Sequence, residues 1–341
     1  MNLSISQKIS LEIAFLSIGA FLLWLFPFHR LYFDVLELEK QSFSISNALE
    51  AFKWREVLYP ELLVHFGLIA FHAVRIILFQ PSKILGSQKI LGYLKGYDTK
   101  VKLTVLKYAV KFFFIPIMLF QAVYYSEYVL EIINSLPNSK TLDTVDWIAN
   151  VLYTLIWNLA LCITLWIYLF GYMVESKNLK SEIISVDSTF LGWFSTLICY
   201  NIFFTFLSYF YPLMGTKDAY FASETINLAM RILIMTLIIL RVWTVFNLGS
   251  KCSNLTYRGV VSNGMYAIIR HPHYFLKLIT WWILFIPFYY EYPEGAYLLG
   301  MIVWTSVYII RLITEERHLS QYEEYRAYQQ KVKYRLIPFI W

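Results

Sequence analysis

Charge is scarce in this chain: Asp, Glu, Lys and Arg make up 15% of its 341 residues, against 58% hydrophobic and 19% aromatic. So little charge excludes a water-soluble globular domain and points to a polytopic membrane protein. Cysteine is almost missing. Cys162, Cys199 and Cys252 are scattered without CxxC spacing, which argues against a disulfide framework and against a thiol-bound metal, and no metal is expected. Residues 1–220 contain no Gly-rich phosphate cradle and no carboxylate pair at a useful spacing. No internal repeat joins the two halves, which disfavours an inverted-repeat transporter. The first apolar run lacks a small-residue cleavage site and runs on into "LWLFPFHR", so it is expected to stay in the mature protein rather than leave as a signal peptide.

What the chain does have is long apolar runs. Eight are long enough to cross roughly 30 Å of hydrocarbon, near 11–27, 61–79, 104–125, 147–173, 189–213, 225–247, 274–290 and 296–313. The expected fold is all-α: a transmembrane bundle of about eight spans in contact with membrane lipids. With a cytoplasmic N-terminus, sixteen connecting Lys and Arg residues fall inside and six outside, among them Arg30, Lys40, Lys53 and Arg55. Both termini are therefore expected in the cytoplasm. The formal net charge of +6 is then a topology signal and gives no reason to expect nucleic-acid binding. The 27 Tyr, 27 Phe and 11 Trp suit interfacial belts and lipid-facing helices.

Read for chemistry, the chain divides at 220/221 into an N-terminal bundle of five spans and a C-terminal core of three spans with a tail. In the first part His65, His72 and Arg75 share one helical face and read either as a buried histidine pair with a snorkelling arginine or as the lining of a polar cavity. Lys107 and Lys111 read as interfacial, and loop 28–60 as short amphipathic helices. His273 and His318 are expected to be bystanders.

Polar residues become dense in "NGMYAIIRHPHYF", residues 263–275, where an apolar helix begins. Pro272 fits a first helical turn, which places Arg270 and His271 at a helix mouth whose free N–H groups and dipole attract an anion. Gly264 permits an unusual backbone turn, and Tyr266 can lay an aromatic face over a ligand. The short "EYPEG" turn makes the last two spans an antiparallel hairpin, so that Arg311, Glu315 and Glu316 reach the same level as Arg270 and His271. Arg311 and Glu315 are four apart on one face, whereas Glu316 points about 100° away. Tyr322, Tyr325, Tyr328 and Val332 make one apolar stripe, which predicts an amphipathic C-terminal helix near 318–332 that packs over the hairpin mouth.

Gly264, Tyr266, Arg270-His271-Pro272-x-Tyr274, then Arg311, Glu315-Glu316 and Leu319 resemble the catalytic half of the isoprenylcysteine carboxyl methyltransferase family of integral membrane enzymes, over about residues 240–341. The resemblance implies that S-adenosylmethionine enters from the cytosol between the ends of the last helices, and that a lipid-linked acceptor arrives through the bilayer. It implies cofactor contacts at Gly264, Tyr266, His271, Tyr274, Glu315 and Glu316. Arg270 and Arg311 would hold the acceptor's anionic group. Independently of that likeness, a carboxylate acceptor needs no general base, and methyl transfer draws on positioning and exclusion of water, which suits a site of arginines and aromatics. The ending "KVKYRLIPFIW" also resembles membrane sterol reductases, which implies NADPH. The carboxylates after Arg311 fit the methyltransferase pattern better, and no further basic cluster is present for a 2′-phosphate. A non-enzymatic lipid-binding or scaffold role is the third expectation.

Overall fold

The computed structural model describes residues 102–136, 142–200, 221, 223–291, 293 and 295–341. The expected spans at 11–27 and 61–79, loop 28–60, and His65, His72 and Arg75 lie outside them.

The described part is mostly helical. Its helices are α1 (Lys102–Ser135), α2 (Thr144–Asp146), α3 (Tyr153–Met173), α4 (Phe190–Leu197), α5 (Glu224–Leu248), α6 (Pro272–Glu291), α7 (Gly295–Leu319) and α8 (Glu323–Lys331). Four are long and apolar enough to cross a membrane among the described residues: Leu103–Ser135, Thr144–Met173, Glu224–Lys251 and Gly295–Leu319. α6 has the length, at 20 residues, but carries His273 and Lys277 within it. The run at 189–213 is represented by α4, which ends at Leu197. Outward positions of α5 hold Ile239, Trp243 and Phe246, each more than half exposed, the inverse of a soluble helix and suited to lipid.

Two compact units are distinguished, residues 1–120 with 172–174, and residues 121–171 with 175–341. The anticipated boundary at 220/221 lies inside the second. In the first unit, Phe114 stacks on Tyr172 at 4.9 Å between ring centres. Lys111, expected at the interface, is 8% exposed and sits inside the protein.

In the second unit α5 packs along α6, and α7 packs against both α4 and α6. α4 and α5 start where the sequence supplies a side-chain cap. Ser223 Oγ accepts from the Ile226 N–H at 3.3 Å, and Thr189 Oγ1 from the Gly192 N–H at 3.2 Å. Gly249, at φ 49°, ends α5 in a conformation other side chains avoid. Met301, Trp304, Tyr308 and Leu312 recur at spacings of three and four down α7, and meet Tyr274, Leu278 and Phe285 of α6 in one buried cluster. A second cluster joins α3, α5 and α6 through Trp157, Ile234, Ile238 and Leu284.

The loops at one end are tied together. β1 (Ser185–Val186) pairs antiparallel with β2 (Thr256–Tyr257), in the register Ser185↔Tyr257 and Val186↔Thr256. Arg258 Nη1 donates to the Ser181 carbonyl at 2.7 Å. Gly171 on α3 lies so close to the Cys252 carbonyl that any β-carbon would strike it. Gly171→Ala should therefore cost about 1–3 kcal/mol by overpacking, read as a lowered unfolding midpoint in detergent. An unchanged midpoint would mean that this loop is not packed as described. Burial lifts the Cys252 thiol to about 12, so it stays protonated and serves packing rather than redox chemistry.

Candidate functional site

The residues singled out in the sequence fall into two separate arrangements around the lower ends of α6 and α7.

The first is a buried ion cluster. Glu316, 4% exposed, stands between Arg270, His271 and Arg335. Arg270 Nε lies 2.6 Å from its Oε1, with the N–H angled off that oxygen, while Nη2 donates to Oε2 at 3.5 Å. Arg335 Nε sits 2.9 Å from Oε2. His271 Nε2 is 3.3 Å from Oε1, and since the ionised carboxylate only accepts, that nitrogen carries the proton. The tail then covers the helix mouth. The N–H groups of Arg270 and His271 donate to the carbonyls of Tyr334 and Arg335 at 2.9 Å each. The mouth of α6 is thus occupied by the chain's own residues 334–335, where an anion-binding opening was expected.

Gly264 and Tyr266 belong to the same wall. Gly264 has φ 57°, and a β-carbon there would meet the Asn247 side-chain amide at 2.6–2.8 Å. Its glycine is required by backbone and by that close approach. The Tyr266 carbonyl accepts from the Tyr328 hydroxyl of α8 at 2.6 Å. Burial holds the Tyr266 hydroxyl well above its ordinary range, so it remains protonated. Tyr325, Tyr328 and Val332 form a small core with Val260, Leu319 and Tyr322, which seats α8 against this wall.

The second arrangement is a small, partly open cavity of about 20 Å³. Its wall includes Asp187, Asn254, Thr256, Arg311, Glu315 and His318, drawn from the segment before α4, the β2 loop and the end of α7. That is room for little more than one water, so a ligand has to widen it on binding. The four-residue spacing of Arg311 and Glu315 brings both to it, and the 100° offset takes Glu316 away. Arg311, 7% exposed, donates through Nη2 to Asn254 Oδ1, and its guanidinium lies 5.4 Å from the Tyr274 ring centre. The Tyr274 hydroxyl donates to Glu315 Oε2 at 2.7 Å. Asp187 accepts from Thr189 Oγ1 at 2.7 Å and pairs with the half-exposed Arg317 at 3.4 Å. His318 Nε2 is 2.9 Å from Ser185 Oγ.

Of the eight residues read as functional, two, Arg311 and Glu315, line this cavity, and Tyr274 supports both from behind. Gly264, Tyr266, Arg270, His271 and Glu316 build the adjoining wall. Asp187, Asn254, Thr256 and His318 were missed as lining residues. The sequence did hold a trace of three of them: Asp187, Asn254 and Thr256 lie in the two polar loops that interrupt the apolar runs, 174–189 and 249–263, whereas His318, at the end of α7, reads as a bystander.

Residues 193–332 match a family described as a protein of unknown function (DUF1295). It is a membrane protein family related to steroid 5-alpha reductase-like proteins. Comparison with curated proteins and with solved structures gave no match.

Proposed function

We propose that the chain is an integral membrane methyltransferase that moves a methyl group from S-adenosylmethionine to a lipid-soluble acceptor. The observation that carries this reading is the make-up of the cavity wall, where Glu315 stands beside Arg311 while Asp187 is paired with Arg317. A carboxylate and a guanidinium side by side suit a zwitterionic amino-acid end, which the sulfonium cofactor has. A nicotinamide dinucleotide phosphate brings several negative charges to the same wall, which offers one guanidinium to receive them.

The donor set fits the sulfonium cofactor. Glu315 and Asp187 can accept from ribose hydroxyls or an ammonium, Arg311 can hold a carboxylate, and Thr256 and Thr314 add hydroxyls. The cofactor supplies an electrophilic methyl group. The chain's part is to hold the acceptor oxygen in line and to keep water out, which α8 and the 334–335 tail assist by covering the mouth of α6. Tyr274 fixes the Glu315 carboxylate so that its second oxygen is left for the ligand.

A second reading, an NADPH-dependent reductase of a sterol-like or isoprenoid double bond, is favoured by the relation of the matched family to steroid 5-alpha reductase-like proteins. Titration calorimetry on the purified protein separates the two. Saturable heat with S-adenosylhomocysteine and none with NADPH is expected, and the reverse would replace the first reading with the second. Glu315→Gln should weaken S-adenosylhomocysteine about tenfold, the loss of one charge-assisted hydrogen bond of about 1.5 kcal/mol. Undiminished affinity would remove Glu315 from the cofactor's wall.

A further inference from the structure

Within the bundle lies a group of cations that neither arrangement uses. Arg241 sits seven residues before the end of α5, roughly 10 Å along the axis from it, and is 5% exposed. His273 and Lys277 are one turn apart on α6, and Tyr308 faces them from α7. Lys277 Nζ lies 4.9 Å from the centre of the Tyr308 ring. Arg241 is within electrostatic range of both His273 and Lys277.

No acidic side chain among the described residues pairs with Arg241 or Lys277. The nearest carboxylates along α7, Glu315 and Glu316, are committed to Tyr274 and to the Arg270 cluster. The Tyr308 hydroxyl, on a residue 1% exposed, meets only the weakly accepting Cys199 thiol and makes no ordinary hydrogen bond to oxygen or nitrogen among the described residues. His273 is oriented by its neighbours. The Thr244 hydroxyl spends its proton on the Arg241 carbonyl at 2.6 Å, so its oxygen accepts from His273 Nδ1–H at 3.1 Å. With that proton committed, the neutral ring has only an acceptor left at Nε2 and offers an anion no donor.

Arg241 is buried and keeps its charge, and a second basic group beside it in a medium of low dielectric is unfavourable unless it sheds its proton or an anion completes the pair. In a membrane span, ionisable side chains without a protein partner mark a ligand path. The donors are of several kinds and sit close together, which suits a compact oxyanion rather than a diffuse surface charge. The outer faces of α5 and α7 are apolar, which suits approach by a ligand dissolved in the bilayer.

We propose that Arg241 and Lys277, gathered round the Tyr308 hydroxyl, bind the oxyanion headgroup of a membrane-soluble ligand with an apolar chain. Identifying that ligand as the methyl acceptor rests on the reading above; the binding site itself does not.

The test uses the full chain in nanodiscs with tritiated palmitate as probe and hexadecyl phosphate, hexadecanol and hexadecylamine as competitors. Saturable palmitate binding is expected, displaced by the alkyl phosphate and not by the alcohol or the amine. Whichever of the two anions binds more tightly identifies the headgroup. Lys277→Gln and Arg241→Gln should each weaken palmitate at least tenfold while S-adenosylhomocysteine affinity stays within twofold, which also certifies the fold. Lys277→Met, which removes an uncompensated cation, should abolish palmitate binding and raise the unfolding midpoint. Equal competition by the alcohol, or undiminished palmitate binding in Lys277→Gln and Lys277→Met, would overturn the proposal. Palmitate binding without S-adenosylhomocysteine binding would leave this site standing and remove the methyltransferase reading. The opposite pair of results would do the reverse.

Discussion

Replacing Glu316 by alanine is expected to destabilise the protein by about 3 kcal/mol while leaving S-adenosylhomocysteine affinity within about threefold. The sequence had suggested a cofactor contact here, whose loss would weaken binding and spare the fold. The geometry reverses that expectation. Glu316 is 4% exposed and is the counter-charge for Arg270, 9% exposed, and for His271, 6% exposed. Removing it strands a buried guanidinium, the costly way to break a buried pair, for which about 3–5 kcal/mol is typical. The lower figure applies because Arg335, its third partner, is 40% exposed and can turn to water. The same substitution loosens the tail, whose carbonyls at Tyr334 and Arg335 cap the mouth of α6. The readout is an unfolding midpoint lowered on the order of 5–10 °C in detergent, beside calorimetry on the surviving folded fraction. Glu316→Gln, which keeps the shape and part of the bonding, should fall between. An unchanged midpoint with lost S-adenosylhomocysteine binding would return Glu316 to the cofactor.

The apolar helices were legible from composition and run length, since a span needs little more than about 20 apolar residues. The runs at 104–125, 147–173, 225–247 and 296–313 correspond to helices of that kind. The site was harder, and Glu315 with Glu316 shows why. Adjacent residues on a helix point about 100° apart, so one motif feeds two environments, and sequence proximity says nothing of which neighbour arrives from elsewhere. The partner of Glu316 from the tail, Arg335, lies in a segment read only for its likeness to reductases. Asp187 reaches the cavity through a two-residue strand pairing that no periodicity announces. Lys277 and Arg241 carry a plain signal, a cation inside an apolar run, but lie outside the motif that the sequence makes conspicuous. His273, read as a bystander, lies beside them and is held by Thr244. Glycine gave a mixed lesson: Gly264 was rightly singled out for its backbone, yet what approaches it is Asn247 and not a ligand.

Arg311→Lys keeps the charge and tests the shape. Arginine at this position donates to Asn254 Oδ1, lies 5.4 Å from the Tyr274 ring centre, and still faces the cavity beside Glu315. Lysine is a compact point charge on a flexible stem, and can satisfy one of these neighbours at a time. It would either keep Asn254 and withdraw from the cavity, or face the ligand and leave the Asn254 carbonyl oxygen without its donor. S-adenosylhomocysteine affinity is therefore expected to fall between tenfold and a hundredfold, the range of about 1.5–3 kcal/mol that a hydrogen bond to a charged group contributes. The acceptor's Michaelis constant should change by less, because the cations nearest the proposed lipid path, Arg241 and Lys277, are untouched. Steady-state kinetics with both substrates varied, beside calorimetry, decide between this outcome and its opposite. If cofactor affinity holds and the acceptor's Michaelis constant rises tenfold, Arg311 recognises the acceptor, as its motif had suggested. The cavity beside Glu315 would then be the end of the lipid's path rather than the cofactor's seat.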